Sequence, residues 1–449
     1  MHLSTNCSTS VAVWLAVTYM LRAPARWREC RAIAVGAIGF LLIGSAPGAQ
    51  AQDVRVRIFD RLSPRQVDLV SSRRIPVHTS PERAPLFHIE PGSVAELRLH
   101  RGDVRIAHGS HRIAASTLYL NAPSRAATTL RTAGAQRSYT GAFEIRPDGE
   151  TLEVVNAVPL EQYVASVVAS EYGLDDVEGA KAMAVVARTY AVRGSDKFDG
   201  AYAHVDHTIS QVYRGMSAIT DASRAAARAT AGEVLTYNSH LIEAVYFSSS
   251  GGHTANNEDV WDASDELPYL RGRQDPYDAV APHHTWQTSV SRAAVLRGLE
   301  RQFGGSVRGF YLGDASSSGR LLTLELLRPS GAREPVEAGA FRRAVNRAAG
   351  REVLRSTWFE ARREGSRYVF DGRGYGHGVG MSQWGAHGMA QSGRSYRDIL
   401  AFYYQGATLT QLDNAERPPA QLALDDTDSE EPPPAASTST RSRSGRIGW

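Results

Sequence analysis

The sequence predicts an α+β protein: a mixed helical and antiparallel-sheet domain, preceded by a strand-rich region and followed by a disordered tail. Three observations predict it. Residues 53 to about 155 carry short alternating apolar runs, Asn156 to Tyr190 reads as two helices, and the segments beyond alternate hairpin signals with helical ones. A chain of 449 residues has room for two or three domains.

Taken in order, the amino terminus reads as an export signal over residues 1–51. Arginines precede an apolar run from Ala32 to Ile43, and Ala49-Gln50-Ala51 follows as a small-residue cleavage pattern. The run is short for a membrane span, so no stable span is expected after cleavage. Both cysteines, Cys7 and Cys30, fall in this leader, which leaves no thiol for a disulfide or a cysteine metal site in the mature chain. The net charge of +3 is carried by the leader, with 46 basic and 46 acidic residues in the rest. That balance lacks the basic footprint of a nucleic-acid binder.

Residues 53–140 read as a strand-rich region: Val54, Val56 and Ile58 alternate with polar positions, and further strands are expected at 65–70, 84–90, 94–99, 103–106, 111–114 and 117–120. Tyr139 to Ile145 and Leu152 to Val155 flank Pro147-Asp148-Gly149, which is hairpin chemistry. A second region spans 141–411. Its first helix opens at Pro159 and presents Leu160, Val164, Val167 and Val168 on one face. Gly173 stops it, and Asp175 or Asp176 caps the next, Ala-rich helix. Further on, Asp221 caps a short helix, and Glu233–Tyr237 and Leu241–Phe247 form a hairpin about Asn238-Ser239. Helices are expected at 289–303, 338–348 and 396–404, and a hairpin at 357–371 about Gly365. From residue 412 to 449 acids, prolines, serines and arginines dominate, a composition that cannot bury enough surface to fold.

Glu171 is placed at a helix end, beside a turn and an aromatic residue. A carboxyl sheltered at such a corner is desolvated, which raises its pKa towards the range of a general acid. Lys181 and Arg188 lie two turns apart on the following helix and share a face, and Glu178 is spaced to pair with Lys181. The chain has only two lysines, Lys181 and Lys197, so a lysine here is notable, although an ordinary solvated face gives the same pattern.

The run Gly372 to Ala386 lacks the phosphate-loop pattern. Its alternating glycines let the backbone approach either a ligand or another part of the chain, and His377 among them is expected to be accessible. Ser248-Ser249-Ser250-Gly251-Gly252 is not a nucleophile elbow and reads as a glycine turn with substrate-binding hydroxyls. His204, His207, His253, His283 and His284 lack zinc-type spacing, and no metal or cofactor is expected. Trp261, Tyr269, Trp286 and Trp384 line either a sugar groove or the core.

The motifs NAVPLEQYVASVVASEYG (156–173), AKAMAVVARTYAVR (180–193), QVYRG (211–215), FSSSGGHTANNEDVW (247–261), PYLRG (268–272), GRGYGHGVGMSQWGAHGMAQSG (372–393) and YRDILAFYYQGATL (396–409) occur in order. Over about residues 140–410 the chain resembles the stage II sporulation protein D family, whose relatives include the amidase enhancer. The resemblance implies an exported peptidoglycan lytic transglycosylase of the periplasm or cell envelope. Such an enzyme cleaves the MurNAc–GlcNAc bond of glycan strands stripped of stem peptides and leaves a 1,6-anhydro end. It places the catalytic role on Glu171 and supporting roles on Lys181 and Arg188. Ser250, Gly251, Tyr269, His377 and Gln383 are expected to contact sugar. Some members hold a zinc with cysteines near the region matching 204–215, where this chain has none. The enhancer relatives imply the alternative of a non-catalytic peptidoglycan-binding activator with a cell-wall amidase as partner. A hydrolytic glycosidase would pair Glu171 with Asp175, Asp176 or Glu258.

Overall fold

The structure is a computed structural model that describes residues 53–417, apart from 124–125, 195–197, 199–201 and 262–264. The export signal read over residues 1–51 and most of the tail lie outside the described residues. Of the stretch read as tail, residues 412–417 are described. Leu412–Asn414 forms a turn, and Leu241 N–H donates to the Glu416 carbonyl at 2.8 Å, which ties the chain to the hairpin at 233–241.

Mixed α+β architecture is what the residues build. Two sheets come first in the chain, antiparallel throughout except where Asp53–Ile58 pairs in parallel with His204–Val205. A six-stranded sheet runs in the order Ala135–Tyr139, Thr128–Thr132, Gln66–Ser71, Val94–His100, Asp103–His108, His111–Ala115. In the seven-stranded sheet, Asp53–Ile58 lies between His204–Val205 and Thr151–Pro159. It continues through Ala142–Asp148, Leu118–Leu120, Ile75–His78 and Phe87–Ile89. Alternate residues of both, among them Val67, Leu69, Leu97, Val56, Ile145 and Val154, meet in one core. The hairpin about Gly149 forms as expected. The strand drawn as Tyr139 to Ile145 is instead two strands broken at Gly141. A Cβ there, at φ +84°, would sit 2.0 Å from the Ala157 carbonyl oxygen, so the chain turns at the only residue that fits.

Seven α-helices occur among the described residues: α1 (Leu160–Glu171), α2 (Val177–Arg193), α3 (Asp221–Ala229), α4 (Arg292–Phe303), α5 (Ala338–Ala349), α6 (Gln383–Gln391) and α7 (Tyr396–Tyr403). The apolar face read for α1 is buried. Asp176 caps α2 by accepting the Gly179 N–H, and Pro159 sits one residue before the first turn of α1. The cap of α3 is Thr220, in a reciprocal capping box with Ser223; Asp221 contributes charge to the first turn instead. Helix α2 is buried over most of its circumference, and its alanines allow α1, α3, α6 and α7 to pack against it closely. None of the described helices is long and apolar enough to cross a membrane.

Residues 285–373 form a lobe with a core of their own. Two three-stranded sheets and the pair α4–α5 enclose Val295, Leu299, Leu324, Phe341 and Phe370. The glycine-rich run returns from this lobe to the centre. Its glycines meet the chain itself: a Cβ on Gly374 would lie 2.7 Å from the Ser249 carbonyl oxygen, and one on Gly380 2.1 Å from that of Val245. The alternation of glycines therefore serves a backbone-to-backbone seam along residues 245–250.

Candidate active site

Glu171 ends α1, and the next residue leaves helical geometry. The carboxyl thus lies at the negative end of the helix dipole, which already disfavours its charge. It is half-buried, with the Val212 N–H donating to it at 2.7 Å and the Tyr246 hydroxyl close by, lowering its pKa. Burial raises its pKa above the ordinary carboxylate value, outweighing those two groups and the Arg214 charge, which act the other way. The hydroxyl of Tyr246 is held from behind. Tyr163 donates to Gln211 Oε1 at 3.0 Å, and Gln211 Nε2 donates to the Tyr246 oxygen at 3.4 Å. Gln383, first residue of α6, donates its side-chain amide to the Glu171 carbonyl at 2.9 Å. Trp384 follows it, half-buried, with its N–H on the Ser248 carbonyl.

Of the residues singled out by sequence, only Gln383 touches Glu171 directly. Lys181 pairs with Glu178 at 2.7 Å, as its spacing predicts, and its Nζ lies 5.7 Å from the ring centre of Tyr396, pinning α2 to α7. Arg188 is fully buried and forks onto Glu161 at 2.6 and 2.8 Å, with further bonds to the carbonyls of Ala227 and Glu233. Glu161 lies in the first turn of α1 and Glu171 ends it, about 15 Å apart along the axis. The substrate-orienting role drawn for Arg188 therefore gives way to a structural one. Helices α1 and α2 run antiparallel, so a residue deep in α2 meets the far end of α1.

Three more expectations are corrected by packing. His377 is half-buried with both ring nitrogens taken up by the chain: Nδ1 accepts from Val379 N–H at 3.1 Å and Nε2 donates to the Tyr246 carbonyl at 2.9 Å, between the rings of Phe247 and Trp261. Burial holds it neutral, with its pKa pushed down to about 3. It reaches the site only through the backbone of Tyr246. Tyr269 is buried against Tyr237, and its oxygen accepts the Glu243 N–H. Ser250 and Gly251 turn inward, where they and three other groups surround the buried carboxylate of Asp278. Oδ1 accepts from Ser250 N–H and Ser382 Oγ; Oδ2 accepts from Ser249 Oγ, Gly251 N–H and His284 Nδ1, all at 2.8–3.0 Å. Trp261 and Trp286 are buried too, with Trp286 Nε1 on the Gly374 carbonyl.

Sequence reasoning missed Tyr246, Val212, Arg214 and Asp278. The motif at 211–215 contained two of them, but nothing local tied it to Glu171. The residues at 204–215 do not fit a zinc. His207 Nε2 is held by Asp60, and Asp206 is taken up by the N–H groups of Phe59 and Asp60 and by Arg137.

Comparison with known proteins follows this geometry. Residues 148–237, which include Glu171 and its partners Val212 and Arg214, match the family model described as stage II sporulation protein. The chain is 33% identical over 281 residues to stage II sporulation protein D of Bacillus subtilis, covering 58% of this chain and 76% of that protein. The chain belongs to the stage II sporulation protein D family. A stage II sporulation protein D from Bacillus amyloliquefaciens is likewise 33% identical, over 76% of its length. The amidase enhancer of Bacillus subtilis is 31% identical over 279 residues, 52% of this chain but only 38% of that protein.

Proposed function

We propose that this member of the stage II sporulation protein D family is an exported peptidoglycan lytic transglycosylase in which Glu171 is the single acid–base group. The observation that carries the reading is the environment of its carboxyl: desolvated, at a helix C-terminus, and steered by Tyr246 and Val212. In the reaction Glu171 gives its proton to the glycosidic oxygen as the bond to C1 of MurNAc breaks. The sugar's own 6-hydroxyl then closes on C1 and returns a proton to the carboxylate. No water is consumed, so one carboxyl suffices.

The acids offered for a hydrolytic pair are engaged or exposed. Asp176 caps α2 and accepts from Tyr172 and His387, Glu258 is paired with Arg271, and Asp175 is exposed. That supports transfer over hydrolysis.

The test is incubation of the purified chain with glycan strands stripped of peptide, read by mass spectrometry. Products one water lighter than hydrolytic ones are expected. The rate should fall as pH rises through the elevated Glu171 pKa, because only the protonated acid starts the reaction. Tyr246→Phe removes a hydroxyl that favours the charged carboxylate, so the alkaline limb should move up by about one pH unit. An unmoved limb would detach Tyr246 from the acid. The name of the amidase enhancer relative favours a second reading, a glycan-binding partner that stimulates an amidase. Stimulation of an added amidase without anhydro products would select it.

A further inference from the structure

Four tryptophans lie among the described residues, and their surroundings differ. Trp261 and Trp286 are buried. Trp358 is half-buried but covered by its neighbours: a Cβ on Gly319 would lie 2.8 Å from its indole, and the Arg373 guanidinium stands 5.4 Å from its ring centre. Trp384 is half-buried and has neither cover. The indole N–H of Trp261 is buried without a partner and that of Trp286 is spent on the Gly374 carbonyl, whereas that of Trp384 is neither buried nor paired among the described residues. Its ring meets His387 at 5.6 Å and 89°. A perpendicular ring covers at most one face of the indole, so His387 leaves a flat face uncovered.

A single half-exposed tryptophan is ordinary surface in most places. The address of this one is what distinguishes it. Gln383, the residue before it, donates to the Glu171 carbonyl at 2.9 Å. His387, one turn on and on the same face of α6, donates Nδ1 to Asp176 Oδ2 at 2.6 Å. Glu171 ends α1 and Asp176 caps α2, so these two contacts grip both ends of the corner in which Glu171 sits. The Trp384 N–H is fixed at 3.0 Å on the Ser248 carbonyl, two residues from Tyr246, whose hydroxyl lies by the Glu171 carboxyl. The rest of α6 faces inward: Gly385, Ala386, Gly388 and Met389 are buried. Trp384 is thus the aromatic side chain that α6 presents at the Glu171 corner without burying it.

We propose that Trp384 is the platform on which a pyranose ring of the glycan strand stacks while Glu171 acts on the neighbouring glycosidic oxygen. One face of such a ring carries C–H bonds alone, and their weak positive charge suits the electron-rich face of an indole. The unpaired N–H is a donor for a hydroxyl or an acetamido carbonyl of the same sugar. Trp384 is a substrate-binding residue in this scheme and moves no proton. The inference rests on the Glu171 reading for the identity of the strand, but binding and bond cleavage are measured separately, so either can fail alone.

Titration calorimetry of peptide-free glycan strands on the whole chain carrying Glu171→Gln reads affinity without turnover, and steady-state rates with Glu171 in place read KM and kcat. Trp384→Ala should weaken binding and raise KM about tenfold, with kcat within about twofold of native. The rise in KM should be the same at every pH, because no proton is involved, whereas Tyr246→Phe moves the alkaline limb. Trp384→Phe keeps a flat face and should recover most of the affinity. Trp384→Leu keeps apolar bulk without a face, so it should melt close to the native temperature and still bind as weakly as the alanine variant. The leucine and phenylalanine pair decides the matter even where Trp384→Ala fails to fold. Loss of strand affinity on Trp384→Leu in a chain that yields no anhydro products would remove the Glu171 reading and leave the platform standing. Native-like affinity in Trp384→Leu, phenylalanine binding no better than leucine, or no binding of strands by the Glu171→Gln chain overturns the proposal.

Discussion

Glu171→Gln is expected to lower anhydro-product formation by about 10²- to 10⁴-fold while leaving the fold intact. Glutamine keeps the shape and can still accept the Val212 N–H, but it has no proton to give to a glycosidic oxygen. Stability should move the other way. The folded pKa of Glu171 lies above its unfolded value, so its contribution is fully present below the unfolded value and is lost as pH rises through the folded one. The glutamine variant has no such loss. Its melting temperature should match the native chain in acid and exceed it increasingly towards neutral pH. Single-turnover product analysis and melting curves across pH check both halves. Retention of half the native rate by a well-folded Glu171→Gln would falsify the acid role outright.

Arg188→Ala should cost about 3 kcal/mol of folding stability, the lower end of what removing one partner of a buried ion pair costs. The low end applies because Glu161 keeps 39% of its side-chain surface exposed and regains water. The carbonyls of Ala227 and Glu233 lose their donor in the same step, which uncouples α1, α3 and the strand Glu233–Tyr237. Arg188→Lys should recover little, since a point charge cannot reproduce the two-pronged bond to Glu161. Urea melts should show a lower midpoint with an unchanged slope. The folded fraction should retain its KM for glycan, whereas a substrate-binding arginine would give a raised KM with a native midpoint.

The comparison of sequence with structure turns on what each signal physically encodes. The helices α1 and α2 were legible because apolar spacing, a proline start and an aspartate cap act locally and agree. Strand Ile75–His78 was not, being short, proline-bearing and too brief to alternate. In the candidate site, the position of Glu171 at a helix end was legible. The tasks of His377, Ser250, Gly251, Arg188 and Tyr269 were not, because a polar residue in a glycine-rich or helical motif looks the same whether it meets a ligand or a neighbouring backbone. Tyr246 and Gln383 reach Glu171 across 75 and 212 residues of chain, and no local pattern carries such a pairing.

The position of Asp53–Ile58 in the seven-stranded sheet limits how the chain can be shortened. This strand fills the gap between Thr151–Pro159, which leads straight into α1, and His204–Val205. An expression fragment starting at residue 141 would leave two bare edges where the strand had been, next to the helix that ends in Glu171. Such a fragment is expected to be recovered in inclusion bodies rather than in the soluble fraction, so domain-dissection experiments must begin at or before Asp53.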